Sequence, residues 1–206
     1  MQLITYWELF DMNPMLDTEM RLILFVNERN PSFGNEFADN QLALTISKLM
    51  ELRLTDARSK GRHGWWNQDV CSHYDLVQML NRSLIENDYV STINFSSMVA
   101  VREAYERQDS SVDWLTIVPR CGEQFADDQL RKWVEVSIAR KLTYSRLLGK
   151  HGWWDNDLCS LTRLMELKDK AHSKNNYLSL IIYTGMILLR QAGVQDSSKP
   201  TTESIL

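Results

Sequence analysis

Cysteine, proline and glycine are all scarce in this chain of 206 residues, and each scarcity excludes a class of protein. Three cysteines at wide spacing do not make the disulfide framework of a secreted protein, and free thiols suit a reducing cytosol. Four prolines and eight glycines are fewer than a turn-dense all-β protein needs. The composition therefore favours helices.

Long apolar runs and an excess of positive charge are missing as well. The most apolar stretch, residues 178–189, is interrupted by Ser179, Thr184 and Gly185, and it is shorter than the roughly 20 residues that a membrane span requires. Residues 1–11 lack the basic and apolar regions of a signal peptide. A net charge of −4 excludes the strong basic field of a non-specific nucleic-acid binder. These absences predict a soluble, cytoplasmic protein that does not associate with a membrane.

An internal repeat is the main feature that the sequence does contain. An ungapped shift of 88 residues brings residues 61–72 onto residues 149–160, and both segments carry a His-Gly-Trp-Trp-x-x-Asp-x-Cys-Ser motif. The match extends to both sides, where it includes Asp39 with Asp127 and Arg58 with Arg146. Two tryptophan pairs in register without a gap indicate a duplicated module of roughly 70 residues.

Each copy of the module reads as three helices, which predicts an all-α protein of two tandem three-helix repeats. The predicted organisation is a leader at residues 1–35, repeat 1 at 36–107, a connector at 108–123, repeat 2 at 124–193 and a disordered tail at 194–206. The predicted helices cover residues 39–60, 72–86 and 91–107 in copy one, and 129–148, 161–173 and 178–191 in copy two.

Local signals support these helices. Ser72 stands where an N-cap belongs, and Asp75 can complete a capping box, whereas in copy two the Ser160 cap lacks an acidic partner because Arg163 occupies that position. The helix at 178–190 is apolar on nearly every face, which predicts a place near the centre of the protein. Its counterpart at 92–98 is much more polar.

Charge differs between the copies. Residues 36–106 hold 7 Lys and Arg against 10 Asp and Glu, whereas residues 124–194 hold 11 against 7. The basic residues of copy two include Arg131, Lys132, Arg140 and Lys141 on its first helix. They are interpreted either as solvated or copy-packing surface or as a basic face that binds nucleic acid or an acidic partner.

The duplicated loop carries residue types that can do chemistry. His63 and Cys71 with His151 and Cys159 would form a tetrahedral zinc site if the two loops met, although His-x₇-Cys is not the usual tight ligand pair. Cys71 or Cys159 could act as a nucleophile with its histidine, because a thiol near a helix N-terminus has a lowered pKa. Neither copy shows an identifiable oxyanion hole.

The paired tryptophans of the loop allow two further interpretations. Trp65, Trp66, Trp153 and Trp154 could stack on a nucleobase or another ring ligand. The alternative is structural: the tryptophans anchor the core, glycines permit the turn, and the histidines with Asp69 and Asp157 hydrogen-bond the loop backbone. The structural interpretation explains the repetition, because two copies of a fold keep fold-determining residues first.

Acidic residues outside the loop are weaker candidates. Glu103 and Glu106 share a helical face at a metal-ligand spacing, but copy two has Gln191 and Val194 there, so they are interpreted as solvated charges. The turn from Glu86 to Asn94 could hold a site in copy one only. The chain has no glycine-rich phosphate loop, no Gly-x-Ser-x-Gly and no paired CxxC motif, and no cofactor is predicted.

The segments Gly-Arg-His-Gly-Trp-Trp at 61–66 and Gly-Lys-His-Gly-Trp-Trp at 149–154 resemble a group of small proteins encoded by phages and prophages of enteric bacteria. The resemblance covers most of each repeat. It implies a phage or mobile-element origin without a settled activity. In layout the chain is also loosely similar to all-α nucleotide pyrophosphohydrolases of the MazG kind, although the carboxylate pattern that those enzymes need for magnesium is missing.

The sequence thus predicts a non-catalytic accessory protein of a phage or mobile element. It would bind a host or defence protein, or a protein–nucleic-acid complex, through Arg131, Lys132, Arg140 and Lys141 and through the four loop tryptophans. The alternative prediction is a nucleotide-processing hydrolase that uses His63, Asp69 and Cys71 of the loop, or the turn from Glu86 to Asn94.

Overall fold

The computed structural model describes the backbone of residues 6–196 and the side chains of residues 15–30 and 33–193. All regular secondary structure in these residues is helical, which confirms the predicted all-α class. Eight α-helices and one 3-10 helix follow one another along the described chain: α1 Tyr6–Arg29, α2 Pro31–Ser59, α3 His73–Ile85, α4 Tyr89–Glu106, the 3-10 helix Ser110–Ile117, α5 Val118–Cys121, α6 Glu123–Leu147, α7 Leu161–Ser173 and α8 Tyr177–Asp196.

Helix starts follow the local signals where the sequence analysis found them. Ser72 and Asp75 form the predicted capping box at the start of α3, and Ser160 caps α7 by accepting a hydrogen bond from the backbone N–H of Arg163 at 3.1 Å. Helix α2 begins eight residues earlier than predicted, because Asn30 caps it and Pro31 occupies its first turn. Helix α8 continues to Asp196, and the rest of the segment predicted to be disordered lies outside the described residues.

The first helices of the two copies, α2 and α6, pack against each other in antiparallel orientation. Arg58 near the end of α2 pairs with Asp127 near the start of α6, and Arg146 near the end of α6 pairs with Asp39 near the start of α2. The third helices, α4 and α8, form a second antiparallel pair, in which Glu103 of α4 hydrogen-bonds Tyr177 of α8. Helix α3 packs on α4, and α7 packs on α8.

The two helix pairs form layers that meet in the core. A Cβ atom added to Gly185 of α8 would lie 2.5 Å from Ile46 and 3.1 Å from Leu42 of α2, so glycine lets these helices approach closely. Leu42, Ile46 and Leu180 are fully buried between the layers. The prediction that residues 178–190 lie near the centre agrees with this arrangement, because α8 contacts α1, α2, α4, α6 and α7.

Helix α4 is buried as completely as α8, although its sequence is far more polar. Thr92, Asn94, Ser96 and Ser97 are all at most 3% exposed. Thr92, Asn94 and Ser97 each donate to the backbone carbonyl four residues earlier, as when the Ser97 hydroxyl donates to Ile93 at 2.7 Å, whereas the Ser96 hydroxyl has no hydrogen-bond partner. Sequence polarity therefore did not predict the position of this helix.

Helix α1 and the connector occupy corresponding places in the two halves. Helix α1 packs on α2 and α8, and it buries Leu16, Met20 and Ile23. Residues 20–26 of the predicted leader are helical. The 3-10 helix of the connector packs on α6 and α4, which correspond in the repeat to α2 and α8.

Candidate functional site

The two loops that follow α2 and α6, at residues 60–72 and 148–160, are built alike. Gly64 and Gly152 have φ angles of +83° and +79°, a region that side chains with a Cβ rarely adopt. A Cβ atom on Gly64 would lie 2.6 Å from Val70, and one on Gly152 would lie 2.5 Å from Leu158. Glycine is therefore required at this position of both loops.

The first tryptophan of each loop binds the other copy. The indole Nε1 of Trp65 donates to Oδ1 of Asp127 on α6 at 2.9 Å, and Nε1 of Trp153 donates to Oδ1 of Asp39 on α2 at 3.0 Å. Both tryptophans are 6% exposed. Each half thus inserts a tryptophan against the other half in the same way, as in a two-fold interface where residue i meets residue j and j meets i.

Each aspartate is held by an arginine as well as by the tryptophan. The second oxygen of Asp127 accepts from Arg58, and that of Asp39 accepts from Arg146. Burial raises the pKa of both aspartates, while the hydrogen bonds from tryptophan and arginine oppose the increase. These carboxylates are nearly inaccessible and already bonded on both oxygens, so they join the two halves and have no atom free for a substrate.

The second tryptophan of each loop also reaches across, but its acceptors differ. Nε1 of Trp66 donates to Oε2 of Glu123 at 2.9 Å, and the backbone N–H of Gly64 donates to the same oxygen at 3.0 Å. In the other loop, Nε1 of Trp154 donates to Oδ1 of Asn35 at 3.1 Å. Glu123 and Asn35 occupy matching positions at the starts of α6 and α2, so one carboxylate has been exchanged for an amide.

A buried arginine anchors each loop from behind. Arg190 donates to the carbonyls of Trp153 and Cys159 at 2.8 and 3.0 Å and to Oδ1 of Asn156 at 2.8 Å. Its counterpart Arg102 donates to the carbonyl of Cys71 at 2.6 Å, while its Nε and Nη1 have no hydrogen-bond partner. Gln68, which replaces the asparagine, bonds Glu106 instead, so Arg102 lacks the side-chain acceptor that Asn156 gives Arg190.

The three residues of the catalytic alternative do not form a working set. His63 is half exposed, and its Nδ1 lies 3.4 Å from Oε1 of Glu123. Asp69 is exposed, and its backbone N–H donates to Oδ1 of Asn67 at 3.0 Å, so Asn67 stabilises the turn that Asp69 was expected to hold. Burial raises the pKa of the Cys71 thiol in spite of the nearby Arg102, and a raised pKa disfavours the thiolate that a nucleophile requires. Cys159 shows the same shift from the same main cause.

The four residues of the predicted zinc site are also apart. His63 and Cys71 lie in the loop at residues 60–72, which packs against the start of α6. His151 and Cys159 lie in the loop at residues 148–160, which packs against the start of α2. These sites are at opposite ends of the α2–α6 pair, and the 20 helical residues from Asp39 to Arg58 span about 28 Å. Within residues 15–30 and 33–193, no group of three or more His, Cys, Asp or Glu side chains is placed to hold a metal ion.

The four basic residues predicted to form a binding face divide into two kinds. Arg131 pairs with Glu51 at 3.4 Å and with Asp128 at 3.0 Å. Lys141 is half buried and donates to the hydroxyl of Ser179 at 2.6 Å, and burial lowers its pKa. These two residues hold the fold. Lys132 and Arg140 are exposed and form no ion pair with a described side chain.

The structural role of Lys141 is visible in its counterpart. Arg53, 88 residues earlier, donates to the hydroxyl of Ser91 at 2.5 Å and pairs with Asp88 at 2.5 Å. In both copies a cation on the first helix therefore binds the N-terminus of the third helix. Asp88 also caps α4, so the turn from Glu86 to Asn94 is used for helix geometry.

Three other acidic candidates have simple roles. Glu86 pairs with Arg82 at 2.6 Å on the surface of α3. Glu106 accepts from Gln68 at 3.3 Å, in agreement with its interpretation as a surface charge. Glu103 pairs with Arg107 at 3.3 Å and also accepts the hydrogen bond from Tyr177 that joins α4 to α8. Asn94 is different: it is 3% exposed, and its Oδ1 has no hydrogen-bond partner.

Comparison of the chain with protein-family models, with curated proteins and with solved structures found no match. No helix within the described part of the chain has both the length and the apolar character to cross a membrane.

Proposed function

We propose that this chain is a non-catalytic binding protein of a phage or mobile element. It acts in the host cytoplasm, where it binds and modulates a host or defence protein or a protein–nucleic-acid complex. The origin rests on the resemblance of the two Gly-Arg/Lys-His-Gly-Trp-Trp segments to phage and prophage proteins.

The observation that carries the proposal is the use of the duplicated motif. The indole N–H is the only side-chain hydrogen-bond donor of Trp65 and of Trp153, and in each it donates to a buried aspartate of the opposite half. The faces of these two tryptophans are buried in the core, so a ring ligand cannot stack on them. The motif is therefore explained by joining the two halves, and no reaction is needed to account for its repetition.

Differences between the exposed side chains of the two copies support a binding role for this chain. The repeated residues that join the halves are buried, such as Trp65 and Asp127, whereas exposed positions of α2 and α6 differ. Leu44 corresponds to Lys132, and Leu52 corresponds to Arg140. An interaction surface needs exposed groups that the fold does not use. Lys132 and Arg140 meet this condition, and Arg131 and Lys141 do not.

The test compares partner capture by three forms of the purified chain. Lys132→Glu with Arg140→Glu should abolish retention of the specific partner from extracts of host cells. Lys170→Glu with Lys174→Glu makes the same change in net charge at exposed positions at the C-terminal end of α7 and should leave retention unchanged. Equal capture by all three forms would contradict a binding role for the basic residues of α6.

A parallel assay addresses the enzymatic alternative directly. The wild-type chain, incubated with each nucleoside triphosphate and a divalent cation, should release neither phosphate nor pyrophosphate above a blank. Turnover that is lost on His63→Ala or Asp69→Ala in a folded protein would overturn the non-catalytic assignment. Both side chains are exposed, so these substitutions should leave the fold intact.

A further inference from the structure

The outward face of the α2–α6 pair combines apolar and cationic side chains. Leu44 and Leu52 of α2 are 52% and 44% exposed, and Val136 of α6 is 41% exposed. Lys132 and Arg140 of α6 are also exposed. Residues four apart share one face of a helix, so Leu44, Lys48 and Leu52 form one stripe on α2, and Lys132, Val136 and Arg140 form one on α6.

Both stripes point away from the core. Leu42 and Ile46 face α8, and Leu44 lies two residues from each of them, which is about 200° around the helix. Lys132 holds the matching position on α6, between the buried Leu130 and Val134. The two stripes therefore lie side by side on the face opposite the α4–α8 layer.

The antiparallel register sets which residues lie at the same level. The ion pairs Arg146–Asp39 and Arg58–Asp127 fix this register along the two helices. Interpolating between them places Leu44 within one residue of the level of Arg140, and Leu52 within one residue of the level of Lys132. Each level of the face thus offers one apolar side chain and one cation, repeated after eight residues, or about 12 Å.

We propose that this face, defined by Leu44, Leu52, Lys132, Val136 and Arg140, binds an acidic amphipathic helix of a partner protein. The inference rests on the proposed function and names the class of partner. A helix lying along the seam would place apolar residues against the two leucines. It would place Asp or Glu, seven or eight residues apart, against Lys132 and Arg140.

Charge decides against a second copy of this chain as the occupant. A two-fold contact through this face would bring the cations of both copies into one interface, because each partner presents the same patch. The exposed cations form no ion pair with a described side chain, so they are available to an acidic partner. The exposed aliphatic side chains favour a helix over a phosphate backbone, which has no apolar surface to bury against them.

The experiment uses the full chain and a designed peptide of about 20 residues that is helical, with leucines on one stripe and glutamates beside it. Binding is followed by fluorescence anisotropy of the labelled peptide. A second peptide carries lysine in place of every glutamate. The acidic peptide should bind at least about tenfold more tightly than the basic one, and the affinity should fall as salt increases.

Variants locate the binding on this face. Lys132→Glu with Arg140→Glu should weaken the acidic peptide by about tenfold or more, whereas Lys170→Glu with Lys174→Glu should change its affinity less than about twofold. Leu44→Ser with Leu52→Ser, which keeps the net charge, should weaken it by about fivefold. Circular dichroism of each variant confirms that it is folded.

Several results would overturn the inference. These are no detectable binding of the acidic peptide, equal binding of the basic peptide, or equal losses in the two charge-reversed variants. Binding of a DNA duplex or of anionic lipid vesicles in its place, with the same dependence on Lys132 and Arg140, would replace the helix by another occupant. If partner capture depends on these two residues while the peptide fails, the helix class is wrong and the binding role stands.

Discussion

Replacing Trp65 by phenylalanine removes one hydrogen-bond donor from the junction between the halves and keeps most of the ring. The Asp127 carboxylate then loses the indole donor at 2.9 Å and keeps only Arg58. Trp153→Phe makes the same change at the other junction, where Asp39 is the acceptor at 3.0 Å. The reciprocal geometry predicts equal losses of stability from the two substitutions.

The magnitude follows from the charge of the acceptor and its burial. A hydrogen bond to a charged group contributes about 1.5–3 kcal/mol, and the smaller ring loses roughly 1 kcal/mol of packing. The expected loss in the free energy of unfolding is therefore about 2–4 kcal/mol per substitution. For a chain of this size that corresponds to a fall in Tm of roughly 4–16 °C.

Thermal and urea unfolding followed by far-UV circular dichroism measures these losses without depending on tryptophan fluorescence. Trp133→Phe is the matched control, because its indole donates to the Ser111 hydroxyl at 3.1 Å in an exposed setting. It should cost less than about 1 kcal/mol. Losses at Trp65 and Trp153 no larger than in the control would refute the structural role of the motif.

Three further predictions concern single groups. Gln68→Asn should stabilise the chain by about 1 kcal/mol in urea unfolding, because it gives the unpartnered nitrogens of Arg102 an acceptor. Asn94→Ile should stabilise it by about 1–2 kcal/mol in the same assay, since it removes a buried oxygen without a partner. NMR titration should find the pKa of Asp75 below, and that of Asp39 above, the ordinary range of an aspartate, because Ser72 hydrogen-bonds the first and burial affects the second.

Substitutions in copy two and at the N-cap of α3 serve as controls for these three predictions. Asn156→Gln should destabilise the chain, and so should Ile182→Asn, the reverse of the change at 94. Opposite signs would contradict the reasoning. Ser72→Ala should return the pKa of its capping partner towards the ordinary value.

The two aspartates contribute to the pH dependence of stability with opposite signs. The folded-state pKa of Asp75 is lowered, so its contribution is present above the unfolded pKa and is lost as the pH falls through the folded pKa. For Asp39 the folded-state pKa is raised, so between the unfolded and folded pKa values its contribution to stability increases as the pH falls.

Local signals made the helices of this chain predictable. The bounds Leu161–Ser173 of α7 and the Ser72 cap of α3 follow from residues within one turn of the helix ends. The start of α2 was missed, because Pro31 was assigned to the leader although proline is favoured in a first helical turn. The burial of α4 depends on packing between the copies, which a local pattern does not contain.

The candidate site was predictable only in part. The matches of Asp39 with Asp127 and of Arg58 with Arg146 are visible in the repeat, but contacts within a copy and contacts between copies would preserve the same residues. Only the three-dimensional structure shows that the pairs are exchanged. The repeat did contain one signal that was overlooked: Lys141 matches a cation, Arg53, which marks a structural position.

The distance between the two loops tests the reciprocal arrangement most directly. Nitroxide labels on His63→Cys and His151→Cys, in a chain whose three native cysteines are replaced by serine, allow this distance to be measured by pulsed electron paramagnetic resonance. The structure predicts about 30 Å or more, because the loops lie at opposite ends of the α2–α6 pair. A distance below about 15 Å would bring the two histidines into one shared site and would contradict the account.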